Sequence, residues 1–217
     1  MRVFSSDFEK TMTDYSQNGE QRVILEAFGG FVGNFLEIGA CDGKLVSNTL
    51  ALVERGWSGV MVEPSPRAFM ALHERHGNNP KLTLVHAAVS TGWEYGFSEF
   101  WDESTIGGYS TTEESNRAKW QHLAKFPGPF WLPTIPMSAI LSQFGNNIDF
   151  LSIDTEGTST DLFLEFPFGG VRPNVVCVEH DGRIDECLTQ AHRWKYREMA
   201  RNGENLVFVH ESPAHKS

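Results

Sequence analysis

Glu37, Glu63, Asp154 and the pair Glu179-His180 each follow a short apolar run, and they are the residues of this 217-residue chain whose types and spacing could do chemistry together. In an open α/β sheet, ligands bind beyond the carboxyl ends of the strands, near the point where strand order switches. Polar residues at several such ends are therefore expected to line one site. Glu37 opens the stretch Glu37-Ile38-Gly39-Ala40-Cys41-Asp42-Gly43, which reads as a strand, a glycine loop and then a helix. Gly39 and Gly43 allow a sharp turn and let a ligand lie against bare main chain, where a β-carbon would collide with it. Ala40, Cys41 and Asp42 follow Gly39, so the G-x-G-x-x-G pattern that cradles a pyrophosphate fails here. Glu37 and Asp42 around the loop would repel a diphosphate but suit a cationic amino-acid ligand.

Glu63, at the end of Val60-Met61-Val62, stands 26 residues after Glu37. That is close to the separation of about 20 residues that places a carboxylate on a ribose in a βαβ unit. Such an acid accepts hydrogen bonds from both ribose hydroxyls. Loop and acid together point to a nucleoside with a positive charge, and the adenosyl sulfonium of S-adenosylmethionine is such a ligand. Two rival readings stay open: a nucleoside-binding module without catalysis, and a nicotinamide-dependent oxidoreductase, against which the missing third glycine counts.

The chain resembles the FkbM family of S-adenosylmethionine-dependent methyltransferases. The matching pieces are Ser16-Gln17-Asn18-Gly19-Glu20, the run from Phe35 to Gly43, Gly56-Trp57-Ser58-Gly59-Val60-Met61-Val62-Glu63-Pro64, Ala87-Ala88-Val89-Ser90, the run from Ile148 to Gly157, and Val176-Cys177-Val178-Glu179-His180. The resemblance implies a class I methyltransferase fold, with a Rossmann-like, doubly wound, mostly parallel sheet. It implies S-adenosylmethionine as cofactor and a hydroxyl of a saccharide or natural-product small molecule as acceptor. The cofactor residues it implies are Gln17, Glu37, Gly39, Gly43, Asn48, Glu63, Pro64 and Asp154. Two departures fall on the acceptor side: Ser152 stands where the family often has Lys, and Thr158, Ser159 and Thr160 stand where another acid is usual.

Methyl transfer is an in-line displacement, so the protein must align the acceptor and remove its proton. His180 is the preferred general base, because a neutral imidazole accepts a proton near pH 7. Asp154 and Glu156 are the other candidate catalytic residues. Asp154, Glu156, Glu179 and Asp181 form a carboxylate-rich group at adjacent strand ends, of a kind that suits Mg²⁺, with Asp154 and Glu179 as its candidate ligands. The fourth strand ends in Asp154-Thr155-Glu156-Gly157, not in the Asp/Asn-Pro-Pro-aromatic motif of base N-methylation. None of Cys41, Cys177 and Cys187 follows a proline, as a cytosine carbon-5 nucleophile would.

Composition bounds these readings. One domain over residues 1–217, with a sizeable core, is the expected organisation. A net charge of −10 disfavours nucleic acid, since binding there is driven by counterion release. Three cysteines fit neither a disulfide framework nor a metal site. No run approaches the roughly 18 apolar residues of a membrane span. The expectation is a soluble cytoplasmic protein acting on a small molecule or glycan.

The elements that must position the site follow from periodicity. Helices are expected at Asp7 to Tyr15, Glu20 to Phe28, Val46 to Arg55, from Pro66 to near His76, at Met137 to Phe144, and at Asp185 to Arg201. Strands are expected at Asn34 to Ile38, Gly59 to Val62, Leu82 to Ala87, Asp149 to Ile153, Val175 to Val178 and Leu206 to Val209, with an abbreviated sheet edge after the last helix. Residues 1–30 form an N-terminal helical segment in this reading. Residues 91–136, rich in aromatics, break the rhythm between strands three and four. They are expected to hold a hairpin, a helix near Glu113 to Leu123, and a lid that grips the acceptor.

Overall fold

A computed structural model describes residues 13–92, 95–106 and 108–212. The first half alternates as expected: α1 (Glu20–Phe28), β1 (Asn34–Ile38), α2 (Leu50–Glu54), β2 (Ser58–Val62), α3 (Pro66–His76) and β3 (Leu82–Val85). Local chemistry sets these bounds. Ser65 caps α3 by accepting the Ala68 N–H, and Pro66 occupies the first turn, where its missing N–H costs nothing. Gly29, at φ +57°, ends α1 and returns its N–H to the Leu25 carbonyl.

A second, three-stranded sheet follows, from β4 (Ala88–Ser90), β5 (Gly96–Phe100) and, after α4 (Glu114–Trp120), β6 (Phe130–Pro136). β6 lies in the middle, parallel to β4 and antiparallel to β5. The chain then gives α5 (Met137–Phe144), β7 (Phe150–Ile153), α6 (Ser159–Glu165), β8 (Val175–Glu179), α7 (Ile184–Arg193), β9 (Tyr196–Arg201) and β10 (Asn205–His210).

The large sheet runs in the order β3-β2-β1-β7-β8-β10-β9. All its neighbours pair parallel except β10, which is antiparallel to both β8 and β9. Strand order reverses between β1 and β7, so a crevice is expected beyond their carboxyl ends. Apolar side chains pack on both faces, as the β-branched runs of a buried parallel sheet require. One face carries Ile24 of α1, Leu52 of α2 and Leu72 of α3 against Phe35, Met61 and Phe150. The other carries Ile140 of α5, Phe163 of α6 and Ala191 of α7 against Leu36, Ile153 and Val178.

Several expectations are corrected. The helix expected at Val46 to Arg55 begins only at Leu50, because Val46 takes φ +49° and the Ser47 hydroxyl accepts the Thr49 and Leu50 N–H groups. The strand expected through Ala87 splits, with Val85 ending the large sheet and Ala88 starting the small one. The helix expected at Asp185 to Arg201 stops at Arg193, and Lys195 at φ +63° turns the chain into β9. Residues 196–201 then pair with β10, so the sheet edge is a full antiparallel hairpin and not an abbreviated one. The short helix α6 has no apolar periodicity at its start. Its first residues are anchored by Ser159 Oγ on Glu179 (2.8 Å) and Thr160 Oγ1 on the His180 carbonyl (2.8 Å). The helix expected from Asp7 lies outside the described residues up to residue 12, and residues 13–15 are not helical.

Candidate active site

The carboxyl ends of β1, β2 and β7 open into a cavity of about 210 Å³. Gln17, Glu37, Gly39, Asn48, Glu63, Pro64, Asp154 and Glu156 all line it. Gly39, at φ +84°, passes directly over the end of β7: a β-carbon there would lie 1.5 Å from the Asp154 carbonyl oxygen. The Gly39 and Ala40 N–H groups both donate to the Val62 carbonyl, and the Asp154 N–H donates to Ile38. These bonds tie the ends of β1, β2 and β7 into one rim.

Two acids on that rim are buried. Glu63 accepts the Cys41 N–H on Oε2 and the Ser65 N–H on Oε1, both at 2.7 Å. Each oxygen keeps a further lone pair for a ligand hydroxyl. Burial pushes its carboxyl up to about 7, against the pull of those two amides. Glu37 accepts the Thr49 hydroxyl at 2.7 Å, and burial raises it to about 8. Beside it, Asn48 donates to the Ser152 hydroxyl at 3.3 Å, while its Oδ1 is buried without a partner.

A second acidic group lies at the ends of β7 and β8. Oxygens of Asp154, Glu156 and Glu179 lie within 4.8 Å of one another. Burial is the largest cause of their raised pKa values, about 8, 8 and 9, and mutual repulsion adds to it. Glu179 also accepts from the Ser159 hydroxyl and the Glu156 N–H. Glu156, at φ +54°, is held from the insertion: Trp120 Nε1 donates to its Oε2 at 3.0 Å, and Thr111 Oγ1 donates to its carbonyl at 2.6 Å. The segment between β3 and β7 thus grips the acid cluster, and its Glu103, Thr105, Tyr109 and Ser110 supply one wall of the cavity.

A model of the methyltransferase FkbM domain matches residues 37–202, spanning the rim, the acid cluster and the insertion. The chain belongs to the FkbM methyltransferase family. No curated protein matched the sequence. Among solved structures, precorrin-6y C5,15-methyltransferase from Geobacter metallireducens GS-15 superposes with a TM-score of 0.52 at 10% identity, over 95% of this chain and 96% of that one. An O-methyltransferase from Bacillus cereus in complex with S-adenosylhomocysteine gives 0.46 at 14% identity, over 94% and 86%. Aeropyrum pernix fibrillarin with natively bound S-adenosyl-L-methionine gives 0.44 at 10% identity, over 89% and 80%. The FkbM protein is a methyltransferase by its family and has the class I fold, and the nicotinamide reading is set aside.

Three residues expected in the FkbM site, Gly43, Glu179 and His180, stand outside its cavity lining. Gly43, at φ +71°, is needed because Leu72 and His76 of α3 occupy the space a β-carbon would take, at 2.6 to 2.9 Å. The Gly43 carbonyl meets His76 Nε2 at 3.2 Å, and Arg75 holds both the carbonyl and the carboxylate of Asp42. Asp42 itself accepts the Lys44 and Leu45 N–H groups, so it shapes the loop. His180 is 6% exposed, its Nδ1 accepts the Gly182 N–H at 3.0 Å, and its Nε2 is buried without a partner. It closes the turn after β8 and does not reach the cavity.

Tyr109 comes to the cavity from the aromatic insertion, as that segment's expected role implies, whereas Glu103 in the lining was not anticipated. Glu103 is 3% exposed and meets Thr105 Oγ1 at 3.3 Å. The only local signal was an acid inside the aromatic insertion; its distance from the rim in sequence hid its place beside Glu63 in the lining. Ser152, noted as a departure from the family, also faces the cavity and receives Asn48.

Proposed function

We propose that this methyltransferase methylates a hydroxyl oxygen of a saccharide or natural-product small molecule. One observation carries the reading: Asp154 and Glu156 line the same cavity as Glu37 and Glu63. In this reading a proton acceptor and a nucleoside-binding rim share one space. Bound S-adenosylmethionine would supply an electrophilic methyl group. Glu63 would hold the ribose hydroxyls, while Glu37 and the free Asn48 Oδ1 would meet the methionine end, with Gln17 and Pro64 closing the rim.

In this reading Asp154 takes the acceptor's hydroxyl proton on a carboxylate oxygen as the oxygen–carbon bond forms and the carbon–sulfur bond breaks. A carboxyl raised to about 8 is a far stronger base than an ordinary one, which suits general-base work near neutral pH. Burial and then repulsion from Glu156 maintain that basicity, against a hydrogen bond with Glu179 that lowers it. Three carboxylate oxygens within 4.8 Å are also a donor set that Mg²⁺ takes. Glu179, however, is committed to Ser159 and the Glu156 amide, and Glu156 to Trp120, so the cluster is already a hydrogen-bonded network. We therefore assign the proton step to the carboxylates alone.

The net charge of −10 supports a non-nucleic-acid acceptor. No helix among the described residues is long and apolar enough to cross a membrane, and Cys41, Cys177 and Cys187 are free, which supports a reducing, cytoplasmic setting. The test is release of S-adenosylhomocysteine across a panel of hydroxyl-bearing sugars and polyketides, with and without EDTA. Turnover with EDTA present and a methyl ether as product is the expected result. A methylated carbon, or loss of turnover in EDTA restored by Mg²⁺, would overturn the corresponding part.

A further inference from the structure

The cavity is rich in hydrogen-bond acceptors and poor in charged donors. Five carboxylates line it: Glu37, Glu63, Glu103, Asp154 and Glu156. Among the described residues, no Lys, Arg or His lines it. The cation that acts on Glu156, Lys119, sits over the Trp120 ring, 4.2 Å from its centroid, outside the lining. A second observation points the same way. Asn48, another lining residue, is 6% exposed, and its Oδ1 is buried without a hydrogen-bond donor.

S-adenosylmethionine brings a sulfonium, an ammonium and a carboxylate, so it neutralises only part of such a wall. Glu37 and Glu63 stand on the cofactor side in the reading above. Glu103, which the insertion contributes, and the pair Asp154 and Glu156 remain to face the acceptor. Buried acids that hold on to protons in the empty cavity are drawn to their charged form by an ammonium, whereas an anionic ligand finds no charged donor there and opposes their ionisation.

We propose that the acceptor carries an ammonium group beside its hydroxyl, as an amino sugar does, and that the cavity rejects phosphate- and carboxylate-bearing acceptors. The ammonium would be held by the carboxylates of the insertion side and the hydroxyl would face Asp154, which presumes the O-methyl transfer proposed above. Such an acceptor supplies the donors the wall lacks and offsets the repulsion within the cluster.

Three ligands of one ring shape test this on enzyme saturated with S-adenosylhomocysteine: methyl glucosaminide, methyl N-acetylglucosaminide and methyl glucuronide, titrated by calorimetry. The amine is expected to bind at least about tenfold more tightly than the acetylated sugar, and the anion not measurably. Glu103→Gln is expected to reduce the amine preference while S-adenosylhomocysteine still binds, and that retained binding reports the variant's fold. A neutral or anionic sugar binding as tightly as the amine, or none of the three binding, overturns the inference whatever the variant does. In those outcomes bound S-adenosylhomocysteine leaves the methyltransferase reading standing, whereas its failure to bind would remove that reading itself.

Discussion

The carbonyl oxygen of Asp154 occupies the place of the β-carbon that Gly39 lacks, 1.5 Å from its ideal position. This glycine is thus fixed by the neighbouring strand, whatever the loop binds. Gly92 has the same φ of +84° and nothing within 4 Å of its missing β-carbon, which makes it a matched control. Gly92→Ala should cost about 1 to 2 kcal/mol, the left-handed backbone penalty alone. Gly39→Ala must also part β1 from β7, and it should cost several times more or leave no soluble protein. Thermal melts of the two variants check the difference, and equal costs would contradict the close approach.

Glu63 holds the Cys41 and Ser65 amides and faces the cavity. Its replacement by Ala should weaken S-adenosylmethionine affinity by about 1.5 to 3 kcal/mol, the range for hydrogen bonds to a charged group. Titration calorimetry reads this directly. Unchanged affinity would remove Glu63 from the cofactor site.

Asp154→Asn keeps the shape of the β7 end and removes the base. Turnover should fall by about 10² or more, the usual contribution of a general base, with cofactor affinity retained. His180→Ala should leave turnover unchanged and lower stability, because its imidazole closes a turn with Gly182 away from the cavity. A large loss of turnover with His180→Ala and none with Asp154→Asn would reverse the assignment.

Trp120 reaches Glu156 through its indole N–H while its ring lies 5.0 Å from that of Tyr109. Trp120→Phe keeps an aromatic ring and deletes the hydrogen bond. That bond favours the charged form of Glu156, so its loss should raise the Glu156 pKa further. A Glu156 that stays protonated repels Asp154 less, so the pH profile of turnover should move to lower pH, and acceptor KM should rise with little change in cofactor KM. A profile identical to wild type would show that the contact only packs.

Stability of the ligand-free protein should fall as pH rises. Glu63, Glu37, Asp154, Glu156 and Glu179 are raised to about 7, 8, 8, 8 and 9 by burial, whereas in the unfolded chain they ionise near pH 4 to 4.5. Between those limits the folded state binds more protons than the unfolded state, so the slope of unfolding free energy with pH is negative. Stability from these groups is present in full below about pH 4.5 and is lost as pH climbs through about 7 to 9. Melts from pH 5.5 to 9 should show a falling midpoint, and S-adenosylmethionine, being cationic, should reduce the fall. A midpoint that rises over this range would refute the burial of these acids.

Sequence alone determined the elements whose signals are local. Glu20–Phe28, Asn34–Ile38 and Met137–Phe144 were legible to the residue, since hydrophobic period and Gly or Pro punctuation act within one or two turns of chain. The acids Glu37, Glu63 and Asp154 were legible because each ends an apolar run, and a parallel sheet gathers such ends along one edge. Tertiary structure decided the rest. Tyr196-Arg-Glu-Met-Ala-Arg is rich in helix formers, yet the unpaired edge of β10 makes it a strand, because ladder hydrogen bonds and the burial of Tyr196 outweigh propensities of a few tenths of a kcal/mol. The direction of His180 and the entry of Glu103 into the cavity were likewise set by contacts across the fold: the Gly182 amide that turns the imidazole aside, and the small sheet that carries the insertion back to the rim. Local pattern names the residues at a strand end, but only packing fixes which way each one points.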